Sequence, residues 1–126
     1  MRIEENGPET CRVSNDKGFV LVRTPVRALG DAGHRRITFR YTVGGFIGRE
    51  SAWPSDTSTD TILNFRVPRE LFREGERFTA EVLQTDEQGT FSIIWSNKRT
   101  VHWVKETPTL EPLPDAGPPE PVSLES

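Results

Sequence analysis

The chain has 126 residues, of which 33% are apolar and 28% charged, with a formal net charge of −3 at pH 7. That length fits one domain with a small core, and ten prolines with ten glycines argue against long helices. Cys11 is the only cysteine, which excludes an intrachain disulfide, and no apolar run approaches the ~20 residues of a membrane span.

Residues 1–10 set Arg2 against Glu4, Glu5 and Glu9 and hold no apolar run, so they read as an acidic arm and not as a signal or anchor. Cys11 has no metal- or base-type partner in view and reads as an inert small side chain. "GFVLVRT" (Gly18–Thr24) is a compact apolar strand that Pro25 is expected to end. "ALGDAGH" (Ala28–His34) then reads as a loop. "RITFRYTVGG" (Arg36–Gly45) alternates, with Ile37, Phe39, Tyr41 and Val43 facing the core. Arg36, Thr38, Arg40 and Thr42 face water, as a period of two requires of a half-buried strand. On this assignment Phe39→Asp should unfold the domain, whereas Arg40→Asp should be tolerated within ~0.5 kcal/mol.

"GGFIGRES" places Phe46 and Ile47 between glycines, as a lid on the sandwich end or a sticky tip. Trp53 follows in "ESAWPSD", where an exposed aromatic would anchor a protein or a sugar ring. The "WPSDTSTD" loop (Trp53–Asp60) has too few carboxylates for a good calcium site and reads as solvated. "TILNFRVP" (Thr61–Pro68) turns Leu63, Phe65 and Val67 inward, and "PRELFREGERF" (Pro68–Phe78) is a tight corner broken by Gly75. "RFTAEVL" (Arg77–Leu83) turns Phe78, Ala80 and Val82 inward. A turn at Asp86–Gly89 leads to "TFSIIWS" (Thr90–Ser96), with Gly89 suited to a positive φ. A polar break at Asn97-Lys98-Arg99 is expected before "TVHWV" (Thr100–Val104). Trp95 and Trp103, both in strands, read as core or half-buried rim.

The stretch "TILNFRVPRELFREGERFTAEVLQTDEQGTFSIIWS" resembles the last three strands of a fibronectin type III or immunoglobulin-like domain. The resemblance rests on Leu63-Phe65-Val67, the Pro68 and Gly75 corner, Phe78-Ala80-Val82, Gly89 and Ser92, and it covers roughly a third of the chain. Phe78 stands where that family usually has Tyr, and there is no cysteine pair, which excludes the disulfide-bonded antibody type. The resemblance implies an all-β antiparallel two-sheet sandwich of about seven strands. The sandwich would span residues 11–105, between the arm at 1–10 and an acidic, proline-rich extended arm at 106–126.

That second arm holds Glu106, Glu111, Asp115, Glu120 and Glu125 without a base, and six of the ten prolines. Its Leu110, Leu113 and Leu124 are spaced to dock on a neighbouring surface. The body carries a charge of +4 spread over 95 residues, too dilute for a nucleic-acid interface. His34 and His102 have no G-x-S-x-G motif beside them, and with Cys11 they show no metal-ligand spacing. The reading is therefore a non-catalytic module without cofactor or metal. It is expected to be an accessory or decoration component of a larger assembly such as a phage particle, located in the cytoplasm or the virion. Its partners would be proteins, with self-association possible and no nucleic acid or membrane involved. Contacts are expected from Phe46, Ile47, Trp53, Leu110, Leu113 and Leu124. The alternative is a carbohydrate- or peptide-binding sandwich that uses Trp53, Phe46 and the Arg36/Arg40 face.

Overall fold

The computed structural model of the chain describes residues 1–30, 32–33, 35–54 and 60–113. They form β1 (Arg2–Glu5), β2 (Thr10–Val13), β3 (Phe19–Leu29), β4 (Arg36–Val43), β5 (Phe46–Ile47), β6 (Ser51–Ala52), β7 (Asp60–Pro68), β8 (Arg77–Thr85), β9 (Phe91–Val104) and β10 (Thr107–Pro112). A four-stranded sheet has β3 at its centre, with β7 along one edge and β1 and β2 in succession along the other. A six-stranded sheet runs β10-β9-β8-β4, with the short β5 and β6 sharing the outer edge of β4. All pairings are antiparallel, so the expected all-β two-sheet sandwich is the observed architecture.

The inner faces follow the period-two pattern. Val20, Val22 and Val26 of β3 and Leu63, Phe65 and Val67 of β7 meet Ile37, Phe39, Tyr41 and Val43 of β4 and Phe78, Ala80 and Val82 of β8. Tyr41 stacks on Phe78 with ring centroids 5.7 Å apart, and Phe65 meets both edge-on at 6.0 and 5.8 Å. Edge-to-face and offset rings of this kind add to the stabilisation from area burial alone. Gly48 lies against this cluster, where any Cβ would collide with the Tyr41 ring. The Pro68–Phe78 segment is the expected corner, a single 3-10 turn at Arg69–Leu71 with Phe72 buried beneath it. Trp103 closes that end, its indole N–H donating to the Phe72 carbonyl at 2.7 Å.

Four expectations change. Pro25 does not end its strand: β3 continues to Leu29. The proline falls between the stretches paired with β1 and β2, and its carbonyl accepts from Asn6 N–H at 3.0 Å, so the missing N–H costs no ladder bond there. The polar Asn97-Lys98-Arg99 does not break the last strand, because Arg99 reaches across to Glu5 at 2.7 Å and Asn97 lies opposite Ala80 inside.

Residues 1–10 are not a detached arm, since β1 and the start of β2 pair with β3 and bury Ile3 against the core. Nor does the sandwich stop at Lys105. That residue adopts a positive φ of 57° in a two-residue turn that folds β10 back along β9. Pro108 is then buried, with its carbonyl accepting from the Cys11 thiol at 3.2 Å. Prolines are compatible with such an edge strand because its outer side needs no donors.

Candidate binding site on the outer face of the larger sheet

In the hairpin of β8 and β9, Asp86 Oδ1 accepts from the N–H groups of Gln88 and Thr90, both at 2.9 Å. Gly89 takes the expected positive φ, 88°. Beyond the turn the ladder slips between Val82 and Leu83, so Ile94 is the additional residue of a β-bulge. A bulge inverts the phase of a strand. Phe91 and Ile93 therefore pair with Thr85 and Leu83 on the outer face, while Trp95 pairs with Val82 on the inner one. Strict alternation would have placed Phe91, Ile93 and Trp95 together; instead Phe91 and Ile93 are 53% and 47% exposed.

The same face presents the outward side of β4. Arg40 lies opposite Glu81, and its Nε donates to Glu81 Oε1 at 2.9 Å with the two side chains only 15% and 12% exposed. Glu50 Oε2 stands 3.9 Å from the same guanidinium, and Glu50 Oε1 accepts from the Thr38 hydroxyl at 3.2 Å. The guanidinium carbon sits 5.8 Å from the centre of the Phe91 ring. Leu83, fully buried although it points away from the core, fills the space between Thr38 and Ile93. The result is an ordered polar centre beside an exposed aromatic and an exposed aliphatic side chain, with few rotamers left to lose on contact.

The residues expected to make contacts are only partly brought together. Arg36 is exposed at the end of this face opposite Thr85, and Ile47, 58% exposed, lies at its far corner opposite Thr42. Phe46 pairs with Val43 and leans toward Tyr41 on the inner side, with centroids 6.2 Å apart. Trp53 is not an exposed anchor: it is half-buried against the core, and its backbone N–H donates to the Ile37 carbonyl at 3.0 Å. Trp53, Phe46 and the Arg36/Arg40 pair thus do not share a surface. Leu110 is half-buried opposite Val101, Leu113 is half-buried, and Leu124 lies outside the described residues. The same is true of His34 and of Asp56 in the "WPSDTSTD" loop. Phe91, Ile93 and Glu81 were not expected in a site. The adjacent isoleucines of "TFSIIWS", which interrupt the alternation, are the one local sign of the bulge that exposes them.

His102 lies at the other end of β9, away from Phe91 and Ile93. Its Nδ1 lies 3.0 Å from Glu74 Oε2, while Glu74 Oε1 accepts from the Trp103 N–H at 2.8 Å. That backbone bond first, and the histidine second, hold the Glu74 carboxyl below the ordinary range; Glu74 in turn raises the imidazole. Among the described residues no hydroxyl or thiol is hydrogen-bonded to the side chains of this pair. Cys11 is pushed up to about 11 by burial and then by Glu9, which keeps its thiol protonated. Among the described residues no group of three or more His, Cys, Asp and Glu is placed to hold a metal, and no helix is long and apolar enough to cross a membrane. No family model, curated protein or solved structure matches this chain.

Proposed function

We propose that the protein is a non-catalytic binding module that attaches to another protein through the outer face of its larger sheet, as an accessory or decoration component of a larger assembly such as a phage particle. The observation that carries this reading is the exposed Phe91 and Ile93 beside the fixed Arg40–Glu81 pair. Aromatic and arginine side chains held in place by their own neighbours are the groups that dominate protein interfaces. The connectivity supports an immunoglobulin-like or fibronectin type III-like rigid body, with β3 and β7 paired in one sheet and β4, β8 and β9 in the other.

The test places a photo-reactive side chain at position 93 and, as a control, at position 73 in the corner segment. Crosslinking in cells that make the chain should yield one defined protein adduct from position 93 and none from position 73. Equal labelling from both positions, or none from position 93, would remove the face from consideration. A glycan array on the wild-type chain tests the carbohydrate alternative, and a glycan whose binding is lost in Phe91→Ala would replace the protein-partner reading.

A further inference from the structure

An edge strand leaves one row of backbone N–H and C=O groups without a partner strand. β10 carries Pro108 and Pro112, and β5 and β6 cover the outer edge of β4. On the smaller sheet β2 lies against β10, where the Cys11 thiol donates to the Pro108 carbonyl. β7 has β3 on one side and no strand on the other. The direction of its backbone groups follows from β3. The carbonyls of Phe19 and Pro25 accept from the N–H groups of Ser14 and Asn6, on the side of β2 and β1. The odd-numbered residues of β3 therefore point that way, and Val20, Val22, Thr24 and Val26 point to β7. Their partners are Val67, Phe65, Leu63 and Thr61. The N–H and C=O groups of Ile62, Asn64 and Arg66 consequently face outward, and among the described residues no backbone group bonds to them. No proline or bulge interrupts the strand between Thr61 and Val67.

Beside this edge lies a concavity of about 390 Å³, lined by Tyr41, Phe46, Phe65 and Pro68 and by Arg49 and Arg66. Phe46 stays exposed there, with its ring 6.2 Å from that of Tyr41. Among the described residues no carboxylate pairs with Arg49 or Arg66, nor with Arg12 or Arg23 further across the same sheet. The geometry points to this edge as the docking site for an extended acidic segment of a partner protein, added to β7 as a further strand of the smaller sheet. Its apolar side chains turn into the hollow, and its carboxylates face Arg66.

The outward backbone groups select the form of the occupant. Only an extended chain presents donors and acceptors at the spacing of a strand edge. The β7 of a second copy does not fit, because its alternate side chains, Thr61, Leu63, Phe65 and Val67, are buried in its own core and cannot enter the hollow. A segment free on both faces can pair with β7 and cover Phe46 at once. The arginines select its charge. Unpaired guanidinium groups take carboxylates through two parallel hydrogen bonds, and opposite charges across a strand pair stabilise it where like charges do the reverse. This contact is independent of the Phe91–Ile93 face, which belongs to the other sheet.

Selection of a displayed random-peptide library on the full chain tests it, followed by titration of a synthetic copy of the enriched peptide. Enriched peptides should alternate apolar with acidic residues. Asn64→Pro removes an outward N–H and leaves the bonds to β3 in place, so it should weaken binding at least about tenfold. Asn64→Ala, which keeps the N–H, should leave binding unchanged, and so should Phe91→Ser/Ile93→Ser. Arg49→Glu/Arg66→Glu should weaken it. Methyl groups on alternate peptide nitrogens repeat the test without altering the protein: one set should abolish binding and the other spare it. Amide exchange at Ile62, Asn64 and Arg66 should be fast in the free chain and slow in the complex. A library without enrichment overturns the proposal, as do enriched peptides that lack acidic residues or binding that ignores both Asn64→Pro and the methyl sets. Slow exchange at the three amides in the free chain also overturns it. If ending the chain at Leu113 then makes that exchange fast, the occupant of the edge is the chain's own C-terminal segment.

Discussion

Arg40→Asp separates the sequence reading from the structure most sharply. Alternation alone puts Arg40 on a wet face, where the substitution should cost no more than ~0.5 kcal/mol. In the folded chain its side chain is 15% exposed and bonded to Glu81 at 2.9 Å, with Glu50 at 3.9 Å. Losing a hydrogen bond between charged groups costs about 1.5–3 kcal/mol, and a new aspartate facing two glutamates adds repulsion. The expected total is about 2–4 kcal/mol, a lowering of the melting temperature by roughly 10 °C or more for a domain of this size. Urea unfolding should show the loss as a lower midpoint with an unchanged slope. A double-mutant cycle with Arg40→Met and Glu81→Met isolates the pair and should give a coupling of about 1–3 kcal/mol. A coupling below ~0.5 kcal/mol would refute the reasoning, because the pair would then behave as an exposed surface ion pair.

Phe39→Asp should abolish the cooperative unfolding transition, since it places an uncompensated charge against Phe65, whose centroid is 5.6 Å away; a variant that melts like the wild type would contradict the core assignment. Ending the chain at Lys105 should lower stability by at least ~2 kcal/mol, because it uncovers Val101 and removes buried Pro108. An unchanged melting temperature would mean that β10 adds nothing to the sandwich.

Burial raises the Glu9 carboxyl, against smaller opposing effects from Thr24, Arg99 and Asn97. A raised folded-state pKa means that the folded chain binds the extra proton, so this contribution is lost as pH rises above the ordinary carboxylate range. Glu9→Gln should therefore gain on the wild type with rising pH through that window, and parallel curves would rule out the burial effect. Cys11 should alkylate slowly at neutral pH and fast once urea unfolds the chain; rapid labelling of the folded protein would show that the thiol is open.

Residues with local partners were legible in the sequence. Leu63, Phe65 and Val67, or Phe78, Ala80 and Val82, need only the two-residue repeat of an extended chain to share a face. The Asp86–Gly89 turn needs only its own side chain and one glycine. Tertiary structure decided the rest, because the deciding partner lies far along the chain. Residues 2–5 and 107–112 are too polar and too short to declare themselves strands. They are strands because β3 and β9 offer edges whose backbone groups require partners. The β9 bulge turns Phe91 and Ile93 outward through its register with β8, and Arg40 is held by a glutamate 41 positions away. Arg12, Arg23 and Arg66 become one surface only when β2, β3 and β7 pair, since like charges gather on a sheet by register and not by sequence proximity.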